Sequence, residues 1–159
     1  MKVLGIDPGT IATGYGIVIF DNGSLHLDCC GVWRPGAGLG FPEKLDFLLS
    51  AMGRLIEECH PDAVSVETVF TARNVASAVK LAHARGVLLA AAGRHAIPLF
   101  EYEPRLVKKA IVGYGNAEKP QVRAMVLSLL ARQRARIPLD AADALAVAIC
   151  HIHGGAGRR

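Results

Sequence analysis

The feature that most constrains this chain is an apolar run cut short by an acid: Val3-Leu4-Gly5-Ile6 leads straight into Asp7-Pro8-Gly9. Valine and isoleucine favour a pleated, buried strand, the residue before a proline is held extended, and glycine turns sharply. A strand therefore ends at Asp7 and carries its carboxylate at the carboxyl end. A second apolar run, Gly14 to Phe20, is followed by Asp21-Asn22-Gly23, whose Asn-Gly pair is a hairpin signal, and by a third run from Leu25 to Trp33. These segments predict an antiparallel meander with the first strand on its inner side. Sites in α/β sheets form at the carboxyl rim, so the question is which later residues join Asp7 there.

The rest of the chain supplies candidates. After a Pro/Gly-rich loop, Arg34 to Gly40, a helix opens at Phe41-Pro42-Glu43, with Leu45, Leu48, Leu49, Met52, Leu55 and Ile56 at helical spacing, and ends near His60-Pro61. Asp62 to Glu67 reads as a fourth strand that also terminates in a carboxylate. An alanine-rich helix spans about Asn74 to Arg94, and Pro98 to Tyr102 is a fifth strand. Helices follow over Pro104–Val112, about Lys119 to Gln133, and Pro138 to about His151. This order predicts an α/β fold: a mixed sheet of five strands with helices on both faces. At 159 residues the expectation is a single domain, 1–159, with 154–159 as a flexible tail.

Composition narrows the function classes. Uninterrupted apolar stretches such as Val87 to Ala92 fall far short of the ~18 residues of a membrane span, and the N-terminus lacks a signal-peptide pattern. A cytoplasmic protein without a membrane partner is expected. Cys29, Cys30, Cys59 and Cys150 show no Cys-x-x-Cys spacing and read as small buried hydrophobes in a reducing compartment. His151 and His153 fit either a metal site or the solvated imidazoles of a frayed helix end. Positive charge is concentrated: Arg105 to Arg136 holds eight basic residues against the single acid Glu118, whereas the remainder holds ten basic and thirteen acidic residues. Such a segment suits either a solvated helix face or a polyanion.

Right-handed crossovers predict a fourth strand parallel to the first, with Glu67 beside Asp7 at one rim; taken singly, each also fits a strand-ending acid facing water. Carboxylates at hydrogen-bonding range repel, so the pair requires a proton or a cation between them. In the last helix Asp140 and Asp143 are three residues apart, hence on one face. The helix dipole accounts for Asp140 without function; Asp143 lies a turn further in, among alanines small enough for close approach to a sheet. Four hard oxygen ligands suit Mg²⁺ or Mn²⁺, and two such ions about 3.5–4 Å apart can activate a water and stabilise the leaving oxygen of a phosphodiester. The basic segment would offset the repulsion between these acids and a nucleic-acid backbone.

At these residues the chain resembles the RuvC family of Holliday-junction resolvases. Gly5-Ile6-Asp7-Pro8-Gly9, Thr13-Gly14-Tyr15-Gly16, Glu67 with Val69-Phe70, Ala84-Arg85-Gly86, Val107-Lys108, Ala117-Glu118-Lys119 and Asp140 to Ala146 match its motifs in order and spacing. The resemblance implies a ribonuclease H-like fold with strand order 3-2-1-4-5, working as a homodimer that nicks opposed strands of a four-way DNA junction alongside RuvA and RuvB. It implies that Asp7, Glu67, Asp140 and Asp143 are the catalytic, metal-binding acids, with two Mg²⁺ ions that Mn²⁺ can replace. It implies DNA contacts at Lys108 and Lys119, and base stacking at Phe70. As a residue, Phe70 suits either a core position or a stacking platform worth ~1–3 kcal/mol per base. Arg73 and Asn74, at the start of the alanine-rich helix, are candidate phosphate contacts. The alanines of that helix fit a dimer interface or the monomer core. Thr68 departs from the family, which often carries Gln after its acid.

Two further readings stand beside this one. Asp7-Pro8-Gly9-Thr10 followed by Gly14 also resembles the phosphate loop of the actin and sugar-kinase superfamily, whose machinery needs two such domains. A junction-binding protein without catalysis is the other; four acids would hinder pure DNA binding.

Overall fold

The computed structural model describes residues 1–68, 75–131 and 136–154. Five strands form one sheet: β1 (Lys2–Asp7), β2 (Thr13–Asp21), β3 (Ser24–Trp33), β4 (Ala63–Glu67) and β5 (Leu99–Tyr102), in the order β3-β2-β1-β4-β5. The meander is antiparallel, while β4 and β5 run parallel to β1. Asn22 (φ 47°) and Gly23 (φ 79°) both adopt the left-handed backbone that a two-residue hairpin demands.

Strand periodicity decides which face each side chain joins. Leu4 and Ile6 of β1 and Val64 and Val66 of β4 enter a core with α1 (Phe41–Cys59) and α2 (Val75–Arg94). The alternating positions, Val3, Gly5 and Asp7 of β1 and Ser65 and Glu67 of β4, therefore face the other layer, made of α3 (Pro104–Val112), α4 (Lys119–Leu129) and α5 (Leu139–Ile152). Both rim acids point to the α5 side for the same reason that their neighbours build the opposite core.

Helix α5 is apolar all round, with every residue from Ala144 to Cys150 buried, as expected of a helix enclosed on all sides. It lies against backbone. A Cβ on Gly5 would collide with the carbonyl oxygen of Ala144, and one on Gly14 with that of Asp140. The α1 start is tied by Glu43 Oε2 accepting from the Gly40 N–H at 2.6 Å, and the α4 start by Gln121 Oε1 accepting from the Glu118 N–H at 2.8 Å.

Several expectations change. Helix α4 ends at Leu129, short of Gln133, because Ala131 adopts a left-handed backbone (φ 52°). His151 is not a solvated end residue. Its Nδ1 lies 2.7 Å from the Tyr102 hydroxyl and its ring packs 4.4 Å from Phe100, with burial holding its pKa below the usual histidine value. All four cysteines are free, but only Cys150 is fully buried; burial pushes Cys29 up to about 12 and Cys150 to about 11, which keeps both as unreactive thiols. Helix α2 is long and apolar enough to cross a membrane by length and composition alone, a test that a core helix also passes. It packs on the sheet through Ala84, Leu88, Ala91 and Ala92, and its Arg85 pairs with Glu101 of β5 at 2.5 Å.

Candidate active site

The loop after β1 is closed by its own hydroxyl. Thr13 Oγ1, fully buried, donates to the Gly9 carbonyl at 2.8 Å and accepts from the Gly9 N–H at 3.2 Å. Gly9 is packed so closely on Ala12 that a Cβ would strike its carbonyl oxygen. Asp7 thus leaves the sheet at a fixed point, paired across the ladder with Gly14. On the other side β4 continues past Glu67, where the Thr68 N–H donates to the Tyr102 carbonyl at 2.8 Å and the Thr68 hydroxyl to the same oxygen at 3.2 Å. The threonine that departs from the family pattern thereby fastens β4 to β5 immediately after the acid.

Asp7 and Glu67 are within hydrogen-bonding reach of each other. Burial first, then the charge of Glu67, pushes Asp7 up to about 8. Glu67 is raised by burial, partly offset by the hydrogen bond from Asp7, so the proton rests on Asp7. Asp143, one turn into α5, adds its negative charge to both. The cation that holds the three is Lys119, at the first turn of α4, whose Nζ hydrogen-bonds Asp143 Oδ2. Desolvation works against the ammonium, yet that bond and the surrounding carboxylates raise its pKa above the ordinary lysine value. Lys108 of α3 adds a positive charge that bears on Glu67 and lines the same cleft, together with Pro104 and Val122.

Asp140 also bears on Lys119 but has a cation of its own. Its Oδ2 lies 3.6 Å from Arg34 Nη2, and this residue of the β3–α1 loop is a neighbour that the sequence reading does not single out. The structure therefore brings Asp7, Glu67, Asp143, Lys108 and Lys119 together, with Asp140 at the edge on the β3 side. As they stand, no three His, Cys, Asp or Glu side chains among the described residues converge closely enough to hold an ion. The chemistry of the cluster nevertheless fits a hard divalent cation: carboxylates that retain a proton and recruit an ammonium have unmet demand for positive charge. Phe70, Arg73 and Asn74 lie outside the described residues.

Comparison with known proteins gives a consistent picture. The family model described as crossover junction endodeoxyribonuclease RuvC matches residues 3–151. The crossover junction endodeoxyribonuclease RuvC of Syntrophomonas wolfei is 47% identical over 153 residues, covering 96% of this chain and 89% of its own. The structure of Thermus thermophilus RuvC superposes with a TM-score of 0.90 at 31% identity, over 99% of each chain. The same T. thermophilus protein in complex with a Holliday junction substrate gives 0.91 at 31% identity, over 99% of this chain and 98% of that one.

Proposed function

Because the chain belongs to the RuvC family of crossover junction endodeoxyribonucleases, and is with it a structure-specific endonuclease that resolves Holliday junctions, we propose that it cuts by metal-dependent hydrolysis at the Asp7–Glu67–Asp143 cluster. The observation that carries this reading is the convergence of acids from distant parts of the chain: Asp7 and Glu67 end adjacent parallel strands at one rim, and Asp143 of α5 meets them there with Lys119 bonded to it. Asp7, Glu67, Asp140 and Asp143 would hold Mg²⁺, or Mn²⁺ in its place, and two ions per site match the number of acids. When bound, such ions polarise the attacking water and the departing oxygen of the phosphodiester.

The chain's own groups do the rest. Lys119, which bonds Asp143, and Lys108 both line the cleft and would present their ammonium groups to phosphate oxygens of the strand bound there. Phe70, Arg73 and Asn74 follow Glu67 closely enough in sequence to meet bases and phosphates near the cut. A symmetric homodimer sets two such sites on opposed strands, so that paired nicks leave ends a ligase can seal during recombination and repair, with RuvA and RuvB supplying and moving the junction in the cytoplasm.

The test is a synthetic four-way junction incubated with the purified protein, with and without Mg²⁺, beside Asp7→Asn. Paired nicks near the crossover are expected only with the metal and only from the unaltered protein. Asp7→Asn should still bind the junction at least as tightly, since it keeps the basic surface and, with Asp7 protonated near neutral pH, adds no charge to the cluster. Cleavage undiminished by chelation, or equal loss of cutting and binding, contradicts the assignment.

A further inference from the structure

The four acids are not treated alike by the fold. Asp143 is tied to Lys119 inside the cleft, whereas Asp140 pairs with Arg34, just past the end of β3. Arg34 directly follows Trp33, the last residue of β3, and that strand end is fixed. Trp33 pairs with Thr13 across the ladder and stacks on Tyr15, with ring centroids 4.6 Å apart and planes at 23°. One residue along, the Gly14 backbone touches the first turn of α5 at Asp140. The guanidinium is therefore anchored at its base beside the active-site rim, while its side chain remains 59% exposed and free to turn.

Its bond to Asp140 is loose. At 3.6 Å the pair exceeds a good N–H···O distance, and ion pairs with this much exposure are weak. A divalent ion that claims the Asp140 carboxylate displaces such a partner readily. The guanidinium set loose by that exchange is a planar fork suited to two phosphate oxygens, and it comes from the end of β3 whereas Lys108 and Lys119 come from α3 and α4.

We infer that Arg34 is a metal-gated phosphate contact: it neutralises Asp140 in the metal-free protein and passes to the DNA backbone when Asp140 turns to the cation. The inference rests on the metal-dependent reading above and adds a positioning residue to it. Metal loading and strand binding are thereby coupled, since each carboxylate taken by an ion frees a cation for the substrate.

Two measurements test the exchange on the full chain. Calorimetric titration with Mn²⁺ in the absence of DNA should show tighter binding to Arg34→Ala, by about threefold, because the competing ion pair is gone. Junction affinity is then measured with EDTA and with Ca²⁺, an ion that takes hard oxygen ligands in looser geometry than Mg²⁺. With EDTA, Arg34→Ala and the unaltered protein should bind alike; with Ca²⁺ the variant should bind about tenfold more weakly, with a salt slope shallower by about 0.9. Arg34→Lys keeps the charge but not the fork, so it should restore the Mn²⁺ affinity and only part of the junction affinity. Equal weakening with EDTA and with Ca²⁺, or an unchanged Mn²⁺ affinity in Arg34→Ala, overturns the exchange. If the unaltered protein shows neither Ca²⁺-dependent junction affinity nor Mg²⁺-dependent cutting, the metal-dependent reading fails and takes this inference with it. If it shows both and Arg34→Ala matches it throughout, the exchange alone fails.

Discussion

Asp7 and Lys119 set the energetics of the rim between them. In the unfolded chain Asp7 ionises near 3.8, and in the folded protein at about 8. Between those values the folded state binds the extra proton, so this group's contribution is fully present below pH 3.8 and is lost as pH rises toward 8. Metal-free stability should therefore fall as pH rises through that window. Asp7→Asn removes the titrating group. Its melting temperature in EDTA at pH 8 should exceed that of the unaltered protein by several degrees, with the gap closing toward pH 4 and Mg²⁺ stabilising only the unaltered chain. Calorimetric melts across that range check the sign, and a less stable variant at pH 8 would rule out desolvation as the dominant effect. Lys119→Ala acts in the other direction, because it leaves the charge of Asp143 unneutralised beside Asp7 and Glu67. It should lower the metal-free melting temperature, weaken junction binding and reduce the salt slope by about 0.9, the loss of one phosphate contact. An unchanged slope would place Lys119 away from the backbone.

Among the elements, α5 is the one whose path brings a distant part of the sequence to the site. It crosses the sheet in contact with Gly14 of β2 and Gly5 of β1 and ends with His151 against Tyr102 of β5. Gly5→Ala should push it off the sheet. The added methyl meets the Ala144 carbonyl and the backbone around Ala148, which have no rotamer to relieve the clash, so a cost of about 1–3 kcal/mol is expected. Because Asp143 precedes Ala144 directly, cleavage should fall more than the melting temperature alone would explain. Gly53→Ala is the contrast: in mid-α1, with only His95 nearby at ordinary contact distance, it should stabilise by roughly 0.5–1 kcal/mol. Here the limits of the sequence become clear. The strands ending in Asp7 and Glu67 are legible because a short apolar run and the acid or breaker that ends it are local signals. The alanines of α5 indicate close approach, but its counterpart, glycines more than a hundred residues earlier, becomes meaningful only once the register is known. Arg34 is hidden for the same reason: a loop arginine finds Asp140 only through the contact of Gly14 with α5.

Across the molecule, the sheet separates two tasks. The α3–α5 face holds the acids and their lysines, and the opposite face, covered by α1 and α2, leaves an apolar stripe on the outside of α2. Val75 is 80% exposed and Val79 48%, and Ala82 and Gly86 continue the exposed line at heptad-like spacing of four, three and four residues. The sequence leaves open whether those alanines serve the monomer core or a partner, and burial divides them: Ala84, Ala91 and Ala92 face inward, whereas Ala76, Ala78 and Ala82 are exposed. Small residues along the exposed line permit a second copy of the helix to approach closely, and a two-fold axis there would place identical sites on either side of one junction. Val79→Glu adds a charge at the middle of that line without touching the core, so sedimentation equilibrium should show a monomer with an unchanged melting curve at low concentration. The functional consequence is separable from loss of chemistry. On a supercoiled plasmid that extrudes a cruciform, paired incision within one binding event gives linear product, whereas independent incision gives nicked circles. Val79→Glu should shift the product from linear to nicked while retaining Mg²⁺-dependent cutting. Linear product from a demonstrated monomer would show that the α2 stripe does not join the two active sites.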